Sequence, residues 1–61
     1  MMEIGNRVRV TDGEHHGKAG TIVSVSMHHT PNGGLRVMPV VSFKDGTTEE
    51  ILGSHLAIVR V

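Results

Sequence analysis

Eight glycines, Gly5, Gly13, Gly17, Gly20, Gly33, Gly34, Gly46 and Gly53, divide this 61-residue chain finely. Together with Pro31 and Pro39 they leave no glycine- and proline-free stretch longer than ten residues. Each glycine inside a helix costs about 1 kcal/mol relative to alanine and each proline about 3 kcal/mol. Isolated helices shorter than about 12–15 residues are marginal in water. A long amphipathic helix therefore has no room, and short strands joined by tight turns are the expected solution.

The apolar pattern agrees with an all-β chain. Asn6 to Thr11 alternates Arg7 and Arg9 with Val8 and Val10, the period of two of a half-buried strand. The polar stretch Asp12 to Gly20 holds three glycines and reads as an irregular loop. Thr21 to Met27 is the second strand; its adjacent Ile22 and Val23 break the alternation, and a β-bulge turning both inward is expected there. His28 to Gly34 has turn composition, with Pro31 suited to the first corner and Asn32-Gly33 tolerant of positive φ. Leu35 to Phe43 follows, with Leu35, Val37, Pro39, Val41 and Phe43 on one face and Arg36, Met38, Val40 and Ser42 on the other. Pro39 lacks an amide donor, which predicts an edge, a bulge or a change of pairing partner. Lys44-Asp45-Gly46-Thr47 is an Asp-Gly hairpin turn. Thr48 to Leu52 is strand four, Gly53 to Leu56 is short enough for one 3₁₀ turn, and Ala57 to Val61 is a last strand. Five short strands so connected predict a small, partly open barrel occupying residues 1–61 as one domain.

Composition narrows the function. A chain this short buries only about 60% of its unfolded surface, which leaves no space for a second domain or a large cofactor cavity. Cysteine is absent, so there is no disulfide, thiol nucleophile or thiolate metal site. No run approaches the ~20 apolar residues of a membrane span, and Met1-Met2-Glu3 does not open a secretory leader. A soluble, cytoplasmic protein without a membrane partner is expected. Six basic side chains balance six acidic ones, so affinity for a phosphate backbone must come from a local patch. Phe43 is the single aromatic among Phe, Trp and Tyr. That disfavours a proline-peptide groove, a methyl-lysine cage or a stacking platform, and its phase with Val37 and Val41 places it in the core.

The run Gly5-Asn6-Arg7-Val8-Arg9-Val10, the loop ending Gly17-Lys18-Ala19-Gly20 and the strand Thr21-Ile22-Val23-Ser24-Val25 resemble a KOW motif. The resemblance implies two strands of an SH3-like barrel, with Gly17 and Gly20 supplying unusual φ where the loop re-enters the sheet. The segment Val41 to Thr47, with Leu52 and Leu56 to Val59, resembles the closing strands of SH3-like and Tudor-like barrels. A KOW-like domain implies a non-catalytic interaction module that docks on a protein or an RNA–protein assembly. The order Gly-x-Arg-Val-Arg, loop, Ile-Val, then Thr30-Pro31-x-Gly33 also resembles the plasmid-borne type B dihydrofolate reductases, which implies an oligomeric enzyme. That family lines its pore with Val-Gln-Ile-Tyr, whereas Thr47 to Leu52 here lacks the glutamine and the tyrosine and carries Glu49 and Glu50.

The candidate binding residues are Arg7, Arg9 and Arg36, expected on one outward face, and Lys18 in the loop, because guanidinium groups make bidentate contacts to phosphate or carboxylate. The candidate metal ligands are His15, His16, His28 and His29. In an SH3-like barrel the two loops flank one open face, so one member of each pair could meet on a divalent ion with help from Asp12, Glu14 or His55; the alternative reading is solvent-exposed loop histidines. The same histidines would make the protein more cationic on acidification, the basis of a pH-responsive reading. No cofactor is otherwise expected. Glu49-Glu50 reads as a guard against edge-to-edge aggregation. A free strand edge beside Pro39, on a chain with so small a core, makes a homo-oligomer a further expectation.

Overall fold

The structure is a computed structural model and describes residues 2–60. Among these the elements are β1 (Arg7–Val10), β2 (Ala19–His29), β3 (Leu35–Phe43), β4 (Thr48–Glu50), a 3₁₀ turn (Gly53–His55) and β5 (Leu56–Ile58). The strands form one antiparallel sheet in the order β4-β3-β2-β1-β5. The sheet is unclosed but strongly curled: Ile51, just past one edge strand, and Leu56, in the other, join the same buried cluster as Val8, Val10, Ile22, Val41 and Phe43. The five-stranded, partly open barrel with one 3₁₀ turn before its last strand is thus the architecture found.

Local sequence accounts for most of the boundaries. β1 buries Val8 and Val10 and exposes Arg7 and Arg9. At the far end of the β2–β3 hairpin the Gly33 amide donates to the Thr30 carbonyl (3.1 Å), and the Gly34 amide donates to Thr30 Oγ1 (2.8 Å). Pro31 takes the first corner and Gly33 adopts φ 84°. The second turn differs from the two-residue Asp-Gly form. The Gly46 amide reaches the Phe43 carbonyl (3.0 Å) and the Phe43 amide reaches the Thr47 carbonyl (2.8 Å). Gly46 alone has positive φ, whereas a type I′ turn would need it at Asp45 too. Asp45 accepts from both the amide and the hydroxyl of Thr47, and these bonds hold its carboxyl below the usual range.

Three expectations are corrected. Ala19 and Gly20 belong to β2, not to the loop, and Gly20 has no positive φ. Gly20 is required because β3 passes so close: a Cβ there would lie 2.5 Å from the Ser42 carbonyl oxygen and 2.6 Å from Val41 Cγ1. His28 and His29 extend β2, paired with Arg36 and Leu35, instead of forming the turn. A bulge does lie between Ile22 and Ser24, but it buries Ile22 and leaves Val23 46% exposed. The extra residue shifts the alternation, so that Val25 and Met27, opposite Pro39 and Val37, continue the face of Ile22. β4 and β5 are also shorter than read, and Val61 lies outside the described residues.

Pro39 sits where β3 changes neighbours. Its carbonyl accepts from the Ile51 amide (3.0 Å), just beyond the last β3–β4 pair, Val40 with Glu50. The missing amide therefore faces the side where β4 has ended. β1 similarly stops flanking β2 at Thr21. Beyond these points Ser24–His29 and Leu35–Met38 pair with no third strand and project as a two-stranded arm along the molecule's long dimension of 37 Å.

Candidate interaction site

The loop between β1 and β2 is folded back tightly. The Gly17 amide donates to the Val10 carbonyl (2.9 Å), the Val10 amide to the Lys18 carbonyl (2.8 Å) and the Thr11 amide to the His55 carbonyl (2.7 Å). Gly13 and Gly17, at φ 84° and 89°, make these reversals available to the chain. The loop thereby sets Lys18 beside Phe43: its Nζ is 5.6 Å from the ring centroid and 3.4 Å from His15 Nδ1. The His15 ring lies 5.4 Å from the same aromatic ring. Phe43 is buried in the core, with the Lys18 ammonium over its ring and the His15 ring tilted at 32° to it.

Register separates the four candidate basic residues. Arg7 pairs with Thr21, Thr21 with Ser42, and Arg36 with His28, so Arg7, Arg9 and Arg36 share the face opposite the core. Thr21 and His28 are seven positions apart, however, one of them taken up by the bulge, which leaves roughly 20 Å along the strand. Arg7 and Arg9 form a local pair on β1, Arg36 stands on the arm, and Lys18 belongs to the rim. Among the described residues no carboxylate lies within ion-pair distance of any of the four.

The histidine pairs are likewise kept apart. His28 Nε2 lies 2.9 Å from Glu50 Oε1, tying the arm to β4 across β3. Ser26 and then His28, through hydrogen bonds to Glu50, hold its carboxyl below the usual carboxylate range. His15 stays at the rim, where it shares a hollow of about 220 Å³ with Asp12, Glu14, Glu50 and His55. The two pairs are not brought together: among the described residues no three His, Cys, Asp or Glu side chains are grouped to hold an ion. Glu49 and Glu50 are exposed on β4, an edge strand.

The feature that sequence reading did not single out is the core-side face of the arm. Val25, Met27, Leu35 and Val37 are 38–68% exposed, although their period of two is that of the buried strand positions. A groove at the arm's base is lined by Met2, Ile22, Val25, Val37, Pro39 and Gly53. The sequence carries only a weak signal for it, the apolar period of two at Leu35 and Val37; the cause is structural, since strands of eleven and nine residues are not flanked along their whole span by neighbours of four and three.

These features define a small open β-barrel whose first two strands are joined by a glycine-hinged loop. The KOW motif model matches residues 4–37, from the approach to β1 through the first three residues of β3. The chain belongs to the KOW family. No curated protein and no solved structure matches it. Among the described residues no helix is long and apolar enough to cross a membrane.

Proposed function

We propose that the chain is a non-catalytic docking module that joins an RNA–protein assembly by presenting Arg7 and Arg9 to a phosphate-bearing surface. One observation carries this reading: both arginines lie inside the KOW-matched segment, point outward from β1, and have no carboxylate partner among the described residues. A guanidinium without an internal counter-charge keeps its bidentate donors free for an external oxyanion. Local placement matters because the chain as a whole carries no net charge. Lys18, held at the rim, contributes to the field near the loop, whereas Arg36 is too distant to share one small contact.

The test is direct because the chain has neither Trp nor Tyr. Gently purified native protein is expected to carry an absorbance band near 260 nm from retained nucleic acid. Total cellular RNA titrated against the protein should bind with an affinity that falls with salt. In the double variant Arg7→Gln/Arg9→Gln the slope of log affinity against log salt should shrink by about two, one for each lost phosphate contact. A blank spectrum together with a salt slope that the substitutions leave unchanged would overturn the reading.

A further inference from the structure

The arm poses a problem that the barrel does not solve. A two-stranded hairpin is marginal in water unless a third strand or a packed layer covers it, yet Ser24–His29 and Leu35–Met38 pair with no third strand and leave Val25, Met27, Leu35 and Val37 exposed. Their opposite face is polar at Ser24, Ser26, His28 and Arg36. The uncovered core-side face presents Val25, Met27, Leu35 and Val37, with His29 as its polar member and the buried Pro39 at its base. An apolar face of this extent on a small domain marks a contact surface.

The chemistry of the face selects its occupant. It carries no Lys, Arg, Asp or Glu, so a nucleic acid or a charged peptide finds no counter-charge there. The chain is neutral overall, so two copies approach without net repulsion. The face also holds both halves of a fit. Met27 and Leu35, 68% and 56% exposed, protrude toward the arm's end, and the groove floored by Ile22 and Pro39 lies at its base. A surface bearing a knob and a matching recess is self-complementary about a two-fold axis. Complete burial of its four exposed apolar side chains and His29 in two copies removes at most on the order of 1,000 Å² in total, the lower limit of specific interfaces.

We propose that the protein is a homodimer built on this face, with two arms packed core-side to core-side about a two-fold axis and each copy seating Met27 and Leu35 in the groove of the other. The dimer leaves Arg7 and Arg9 open on the opposite face of the sheet, so it stands or falls independently of the docking role.

The experiment is the solution mass of the full chain by sedimentation equilibrium over a micromolar concentration series. Twice the 6.6 kDa chain mass is expected. Met27→Glu and Leu35→Glu should each return the mass to that of one chain while keeping the β-sheet circular dichroism spectrum. Val23→Glu, on an exposed valine outside this face, should remain a dimer. A wild-type chain that is monomeric throughout the series overturns the proposal, as does a dimer that survives both substitutions. Should the variants fail to fold, isotope-filtered NOEs in a mixed labelled and unlabelled wild-type sample decide. Contacts from the Met27 methyl of one copy to Val25 or Val37 of the other support the interface, and their absence overturns it.

Discussion

The two ends of the β2–β3 hairpin use the same face, the same strands and the same residue types, yet differ in what surrounds them. At the barrel end Ile22, Val41 and Phe43 are at most 7% exposed; at the arm end Val25, Met27, Leu35 and Val37 are at least 38% exposed. The difference lies in the flanking chain. β1, β4, the loop and β5 wrap the first region, and none of their strands pairs with the second or covers its apolar face, although Glu50 of β4 meets His28 on the opposite face. Burial is therefore a property of neighbours, and an apolar strand face records only which side is available to be covered.

The largest effect separating the regions should come from cavity formation. Ile22→Ala removes a fully buried side chain and is expected to cost about 2–5 kcal/mol, a large share of the stability of a chain this small. Val23→Ala, one residue along and on the exposed side of the bulge, should stay within about 0.5 kcal/mol. Urea denaturation of the pair measures the contrast, and equal losses would show that the bulge does not divide buried from exposed positions.

A smaller difference is expected between two glycines. Gly20→Ala drives a methyl group into the Ser42 carbonyl and Val41 and should cost about 1–3 kcal/mol through displaced backbone. Gly33→Ala meets no atom within 4 Å but must hold φ 84°, which costs about 1 kcal/mol. Amide exchange distinguishes the causes: the first substitution should loosen the β2–β3 ladder near Phe43, the second only the hairpin end.

The smallest effect concerns the tie between arm and barrel. Glu50 has its carboxyl pKa lowered in the folded chain, so its contribution to stability is present above the unfolded value of 4.5 and is lost as pH falls through the lower folded value. The wild type and Glu50→Gln should therefore differ in thermal stability at neutral pH and converge in strong acid. A constant difference across that range would detach the effect from the Glu50 charge. Both partners of the His28–Glu50 hydrogen bond are solvent-exposed, so the shift in melting temperature should be slight.

Much of this fold was legible beforehand. The alternation Arg7-Val8-Arg9-Val10 names its buried side, Thr30-Pro31-Asn32-Gly33 names its turn, and the bounds of β3 follow from the glycines and charges around it. The candidate site was less legible. Arg7, Arg9 and Arg36 do share a sheet face, but face alone sets no distance along a strand, and the arm carries Arg36 away. The histidine pairs looked suited to converge because a loop's composition does not reveal its path. Extending β2 through His28 instead aimed that imidazole at Glu50. Gly20 looked like a hinge, since the approach of Ser42 from 22 positions later leaves no local mark.

The sequence by itself determined the all-β class, the strand order along the chain, the places of the turns and the KOW loop, because these depend on residues within a few positions of one another. Only the tertiary structure decided which apolar positions are core, why Gly20 must lack a side chain, and which charged groups meet. Those outcomes depend on where the short flanking strands end against the long hairpin, and that is set by contacts between residues far apart in the chain.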